Sequence, residues 1–275
     1  MLGKIAAALS SKYSPLFFLS LGIASTCLSV GTVFATPINR GTFVGDTVIY
    51  VDVTEDSATD PALITPGPLG GLFGEPTIAG DSLDFNPKNF AAFASGAGGS
   101  DNTDANLQFM VEAKPGKGIS GLGLSEAGDT TIAGFTNDAF TAVTATIFVE
   151  INELNGVAIS PINVPGTSMT FTPSAGDYQL SVDGSGPGSY TFAFSGNVFI
   201  DLGPYVPFGA TATKISVSLD NTLVALSEAG TTAFIQKKDF DGISVTIDTF
   251  NVPEPATISL CLLIAGALSV TRRLA

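Results

Sequence analysis

Apolar and polar residues alternate with a period of two through much of this chain. Tyr190-Thr191-Phe192-Ala193-Phe194, Lys214 to Leu219 and Ile243 to Ile247 each send every second side chain to one face, as a half-buried strand does. Thr47 to Val53 and Thr141 to Val149 are rich in β-branched residues, which suit a pleated surface. Asp183-Gly184-Ser185-Gly186-Pro187-Gly188 and Asn155-Gly156 punctuate these runs as turns. On the order of ten to twelve strands are predicted. Asn89 to Ala94 has the one internal helical spacing, and the Pro/Gly-rich stretch from Pro61 to about Gly80 reads as a long surface loop. The pattern predicts an all-β body over 36–250, an antiparallel β-sandwich of jelly-roll type.

Leu124-Ser125-Glu126-Ala127-Gly128 recurs as Leu226-Ser227-Glu228-Ala229-Gly230. The repeat fits either an internal duplication, about 80–150 and 182–250, or two equivalent strand ends in one sandwich.

Both termini depart from the alternating pattern. Lys4 and Lys12 precede an apolar run from Leu16 to about Val33, which closes on Val33-Phe34-Ala35. This is the layout of a secretory signal, with cleavage expected between Ala35 and Thr36 and residues 1–35 removed. At the other end, Val252-Pro253-Glu254-Pro255 is followed by an apolar stretch, Ile258 to Val270, and then by Arg272-Arg273. The prolines hold the chain extended before the apolar run. As a helix, Ala256 to Thr271 would be roughly 24 Å long, slightly short of a hydrocarbon core of about 30 Å. The arginines would stay on the cytoplasmic side, with the body outside.

In these last residues the chain resembles the PEP-CTERM sorting signals of exported bacterial proteins. The triplet, the apolar helix and the basic end stand in the expected order, and the resemblance is confined to 251–275. It implies that an exosortase, a membrane transpeptidase, cuts the tail near the triplet. It also implies that the protein accompanies exopolysaccharide and biofilm formation at the cell surface. Signal peptidase and exosortase are then the processing partners, and the transmembrane helix tethers the protein before processing.

Composition narrows the chemistry of the body. Between Thr36 and Asn251 there are 7 Lys/Arg against 24 Asp/Glu, a surface that repels phosphate backbones and excludes nucleic acid as a partner. The two cysteines, Cys27 and Cys261, lie in the terminal apolar segments, so the body has no disulfide to draw on. Histidine is absent, which removes the commonest general base and zinc ligand. Tryptophan, a common platform for sugar rings, is absent too.

The candidate sites are correspondingly few. Asp101-Asn102-Thr103-Asp104-Ala105-Asn106 sets oxygen ligands in a glycine-flanked loop, and Asp239-Phe240-Asp241-Gly242 is a shorter version. Asp101, Asp104, Asp239 and Asp241 are thus candidate calcium ligands, although neither run matches an EF-hand; no other cofactor is expected. Glu126 and Glu228 would form a glycosidase pair if their carboxyl groups lay about 5–10 Å apart. Lys237-Lys238 follow no serine at the Ser-x-x-Lys spacing, so a serine nucleophile has no base. Tyr50, Tyr178, Tyr190 and Tyr205 are candidates for stacking on sugars. The expected role is non-enzymatic, a structural protein of the cell surface or extracellular matrix. The alternative is a lectin-like carbohydrate-binding module of that matrix, and the weaker alternative a glycoside hydrolase.

Overall fold

Strand alternation becomes ladder pairing in the computed structural model, which describes residues 36–67, 70–238 and 242–252. In chain order the strands are β1 (Ile38–Val44), β2 (Val48–Asp56), β3 (Thr77–Ala79), β4 (Ser82–Phe85), β5 (Ala91–Ser95), β6 (Gly99–Ala113), β7 (Lys117–Gly134) and β8 (Ala139–Leu154). They continue with β9 (Val157–Ser168), β10 (Thr170–Thr172), β11 (Asp177–Gln179), β12 (Gly188–Asp201), β13 (Ala212–Ser227), β14 (Thr232–Lys237) and β15 (Ile243–Asn251). One helical turn, α1 (Leu180–Asp183), follows β11. Among the described residues the fold is all-β, every ladder is antiparallel, and all belong to one unit. Among the described residues no helix is long and apolar enough to cross a membrane. The signal segment and the tail from Pro253 onward, with its expected transmembrane helix, lie outside the described residues.

The ladders fall into two groups. One runs β1-β2-β6-β13-β8-β9. The other is centred on β7, with β12 along one edge and β15 and β14 sharing the opposite edge. A single residue pair, Ala212 with Ile119, joins the groups. Their apolar faces meet in one core that includes Tyr50, Leu107, Leu122, Ile132, Val149, Ile215 and Ile235. Burying each such side chain contributes about 1.5–3 kcal/mol. The groups also touch through polar atoms. Tyr50 of β2 donates its hydroxyl to the Val245 carbonyl of β15 at 3.1 Å, and the hydroxyls of Thr130 (β7) and Thr141 (β8) meet at 2.6 Å.

Glycines in β7 have a packing reason. A Cβ on Gly121 would stand 2.5 Å from the Phe199 ring, and one on Gly128 would stand 2.4 Å from the Phe194 ring. Each glycine leaves room for an aromatic side chain of β12, a cross-strand contact that offsets the weakness of glycine in a strand.

The structure corrects three expectations. Asn89 to Ala94 is not helical, because Ala91–Ser95 pairs with β14. Asp101 to Asn106 is not a loop but the first half of β6, paired along its length with β13. The Pro/Gly-rich stretch is not wholly on the surface, since Leu72 and Phe73 are fully buried. Glu55 makes that burial feasible. One carboxylate oxygen accepts the N–H groups of Leu72 and Phe73, and the other pairs with Arg40 at 2.9 Å. Gly71 has φ +84°, and any Cβ there would collide with both Arg40 and Glu55.

Candidate functional site

The outer face of the first ladder group carries a shallow groove of about 490 Å3 across β2, β6, β13 and β8. Register builds it in rows. Thr54, Gln108, Ser218 and Phe148 lie side by side on the four strands, and Val51, Met110, Ser216 and Glu150 form the next row. With strands about 4.8 Å apart, each row spans roughly 14 Å.

Phe148 is the groove's aromatic wall. Its neighbours Ile147 and Val149 point into the core, so period two sends Phe148 outward. It is 47% exposed, although the core would take a phenylalanine readily. The ring rests beside Gly166 of β9, where a Cβ would stand 2.6 Å from it. The glycine supports one side of the ring and leaves the other to solvent.

The polar groups around it are held in place. Asn106 donates to Ser218 Oγ at 3.1 Å, and Gln108 donates to Asn106 Oδ1 at 2.6 Å. Ser216 donates to Asn152 Oδ1 at 2.9 Å. At the far wall, the register between β2 and β6 slips between Val51 and Thr54, and Asp52 in that bulge has φ +52°. Positive φ is uncommon for aspartate, and a bulge of this kind re-aims a side chain. The exposed Asp52 carboxylate lines the groove, with an Asn39 amide donating to it at 3.4 Å. Acceptors, amide donors and an aromatic face on one groove form an arrangement suited to a polyhydroxylated ligand. Hydroxyls take the hydrogen bonds, and the apolar face of a sugar ring covers the aromatic.

The chain matches no known family model, and no curated protein matches it. Among solved structures it is similar to TmCBM61 in complex with β-1,4-galactotriose, at 12% identity over 71% of this chain and 82% of that one, with a TM-score of 0.20. It is also similar to the enzymatically active domain of bacteriophage CBA120 tailspike protein 4, at 13% identity over 74% of this chain and 19% of that one, TM-score 0.17. A CBM4 structure aligns at 12% identity over 59% of this chain and 94% of that one, TM-score 0.11. Likeness at this level carries no functional argument.

The residues singled out from sequence are dispersed. Asp101 and Asp104 are three apart on one strand and so face opposite sides. Asp101 Oδ2 accepts the Phe93 N–H of β5 at 2.7 Å. Asp104 faces outward, and its pKa is raised by partial burial and then by the charges of Asp220, Asp56 and Asp60. Among the described residues no three carboxylates converge as a metal cage. Asp239 and Asp241 lie outside the described residues, as do Ala35, Pro253, Glu254, Pro255, Arg272 and Arg273. Thr36 is exposed, and Val252 donates its N–H to the Gly116 carbonyl at 2.9 Å.

Two of the four tyrosines are corrected outright. Tyr50 and Tyr178 are fully buried, and their hydroxyls bond backbone carbonyls. The glutamates do not form a glycosidase pair. Glu126 sits in mid-strand on β7 with both oxygens engaged and its side chain closed to solvent. Glu228 is exposed at the β13–β14 turn and accepts the Asp138 N–H at 2.9 Å. The two pentapeptides therefore occupy unlike places, and the idea of equivalent strand ends fails. The groove residues escaped the sequence reading, yet one signal was present: Phe148 is an aromatic at the polar phase of an alternating strand.

Proposed function

We propose that this protein is an exported, non-enzymatic component of the bacterial surface or matrix, and that its jelly-roll-like sandwich binds polysaccharide in the groove beside Phe148. The observation that supports this is the row of Thr54, Gln108, Ser218 and Phe148, an aromatic face continuous with hydrogen-bonding groups on a solvent-open sheet. The groove contributes Asp52 and Glu150, and the body as a whole is acidic. Its ligand is therefore a neutral or amino-sugar glycan rather than a uronic or sulfated one, which the field would repel. Affinity electrophoresis through gels containing neutral or anionic polysaccharides tests this. Retardation by a neutral glycan, lost in Gln108→Ala, is expected. Equal migration in every gel overturns it.

Export and sorting form the second part of the proposal, resting on the terminal residues. Signal peptidase removes 1–35, the tail tethers the body outside the membrane, and an exosortase cuts near Pro253-Glu254-Pro255. The intact mass of protein recovered from outside its native cells is expected to lack both ends. A mass that includes Ile258 to Ala275 makes the tail a permanent anchor.

A further inference from the structure

Three polar side chains meet in the core where an apolar contact would be the simpler choice. Lys237 ends β14, Asn221 lies in mid-β13 and Glu126 in mid-β7, and all three are buried. Lys237 Nζ touches both Glu126 Oε2 and Asn221 Oδ1. Asn221 Nδ2 donates to Glu126 Oε1 at 2.7 Å. The lysine also sits 5.0 Å from the centre of the Phe90 ring. One carboxylate thus bridges an amine and a carboxamide that are themselves in contact, with water excluded.

A plain ion pair is a poor explanation of this arrangement. Desolvating two charges costs several kcal/mol per ion, and well-packed apolar residues are often as stable or more so. Nor does a salt bridge require an asparagine held against the same amine.

We propose that Lys237 and Asn221 are joined by an intramolecular isopeptide bond, with Glu126 as the catalytic proton carrier. The ammonium of Lys237 passes one proton to Glu126, and the neutral amine attacks Asn221 Cγ. The Nζ–Cγ bond forms and the Cγ–Nδ2 bond breaks. A second Nζ proton travels through the carboxyl group of Glu126 to Nδ2, which leaves as ammonia. No oxidant or co-reactant enters. The starting pair of buried charges becomes a neutral amide and a neutral carboxylic acid, so the reaction removes the desolvation penalty that the ion pair carries. Burial favours the reactive form of the lysine, because it lowers the Lys237 pKa against the opposing pull of Glu126. Hydrogen bonds from Lys237 Nζ to Asn221 Oδ1 and Glu126 Oε2 hold the amine beside both the carboxamide and the proton carrier.

The consequence is structural. Asn221 belongs to the first ladder group, whereas Lys237 and Glu126 belong to the second. The bond staples the two groups through the core of a body that has no cysteine. This holds whether or not the groove binds a glycan.

Peptide mass mapping of the folded full-length chain decides it. Trypsin is expected to release Ile215 to Lys238 as one peptide, uncut after Lys237 and lighter by about 17 Da, the mass of the lost ammonia. A further cut after Glu228 should leave its two parts joined. In Glu126→Gln, which keeps the shape of the side chain, the peptide should end at Lys237 with full mass and separate after Glu228. An unmodified peptide from Ile215 to Lys237 in the wild-type folded protein overturns the proposal. So does a simple gain of about 1 Da from deamidation of Asn221.

Discussion

At the residue scale, two carboxylates, Asp138 and Asp104, behave in opposite ways because their neighbours differ. Partial burial pushes the Asp138 carboxyl up, but Gln179, Ser181 and Ala139 all donate to it and hold it below its ordinary pKa. A lowered acid adds stability above its unfolded pKa and loses it as pH falls through the folded value. Asp138→Asn should therefore melt at a lower temperature than wild type at pH 7. The two should converge as pH falls through the lowered folded value, and parallel curves at all pH values would contradict this account. Asp104 has the reverse sign. Its raised pKa means that its charge costs stability at neutral pH, a cost that fades as pH falls toward the unfolded value. Asp104→Asn is expected to raise the melting temperature at pH 7, with the gain shrinking on acidification. Thermal unfolding followed by circular dichroism reads both variants.

At the element scale, much of the fold was legible because strand pairing obeys a local pattern. Thr47 to Val53, Thr141 to Val149, Lys214 to Leu219 and Ile243 to Ile247 all became strands, since their alternation matched the face the core needed. Asn89 to Ala94 misled because alanine favours helices and Phe90 and Phe93 sit three apart. Pairing with β14 overrode that local preference. The long loop misled for another reason. Its burial depends on Glu55 and Arg40, which lie outside it in sequence and which no window over the loop can see. That dependence gives a test. Glu55→Gln leaves the Arg40 charge without its counter-charge and should cost about 3 kcal/mol. Limited proteolysis should then cut between Asp60 and Gly71 much faster than in wild type. Unchanged protection there would mean that Leu72 and Phe73 hold the loop without the ion pair.

At the scale of the whole molecule, the two ladder groups divide the work. Their inner faces share the core, including the buried Lys237–Glu126–Asn221 cluster, and the outer face of the first presents the groove. Little of the site was legible in the sequence. The groove is assembled from β2, β6, β13 and β8, so its members come from segments up to 167 residues apart, between Val51 and Ser218. Only register aligns them. The sugar-stacking candidates chosen by residue type alone included tyrosines that the core needed. Phase along the strand was the better guide, because it separates an outward Phe148 from an inward Tyr50.

Calorimetric titration of the protein with its cells' own exopolysaccharide tests the central claim most directly, comparing wild type with Phe148→Ala. The groove account predicts saturable binding by wild type and a loss of about tenfold in affinity in the variant, with unchanged thermal stability because the ring is half exposed. Binding that is equally strong in the variant would place the glycan elsewhere. Absence of binding by wild type would contradict the groove account.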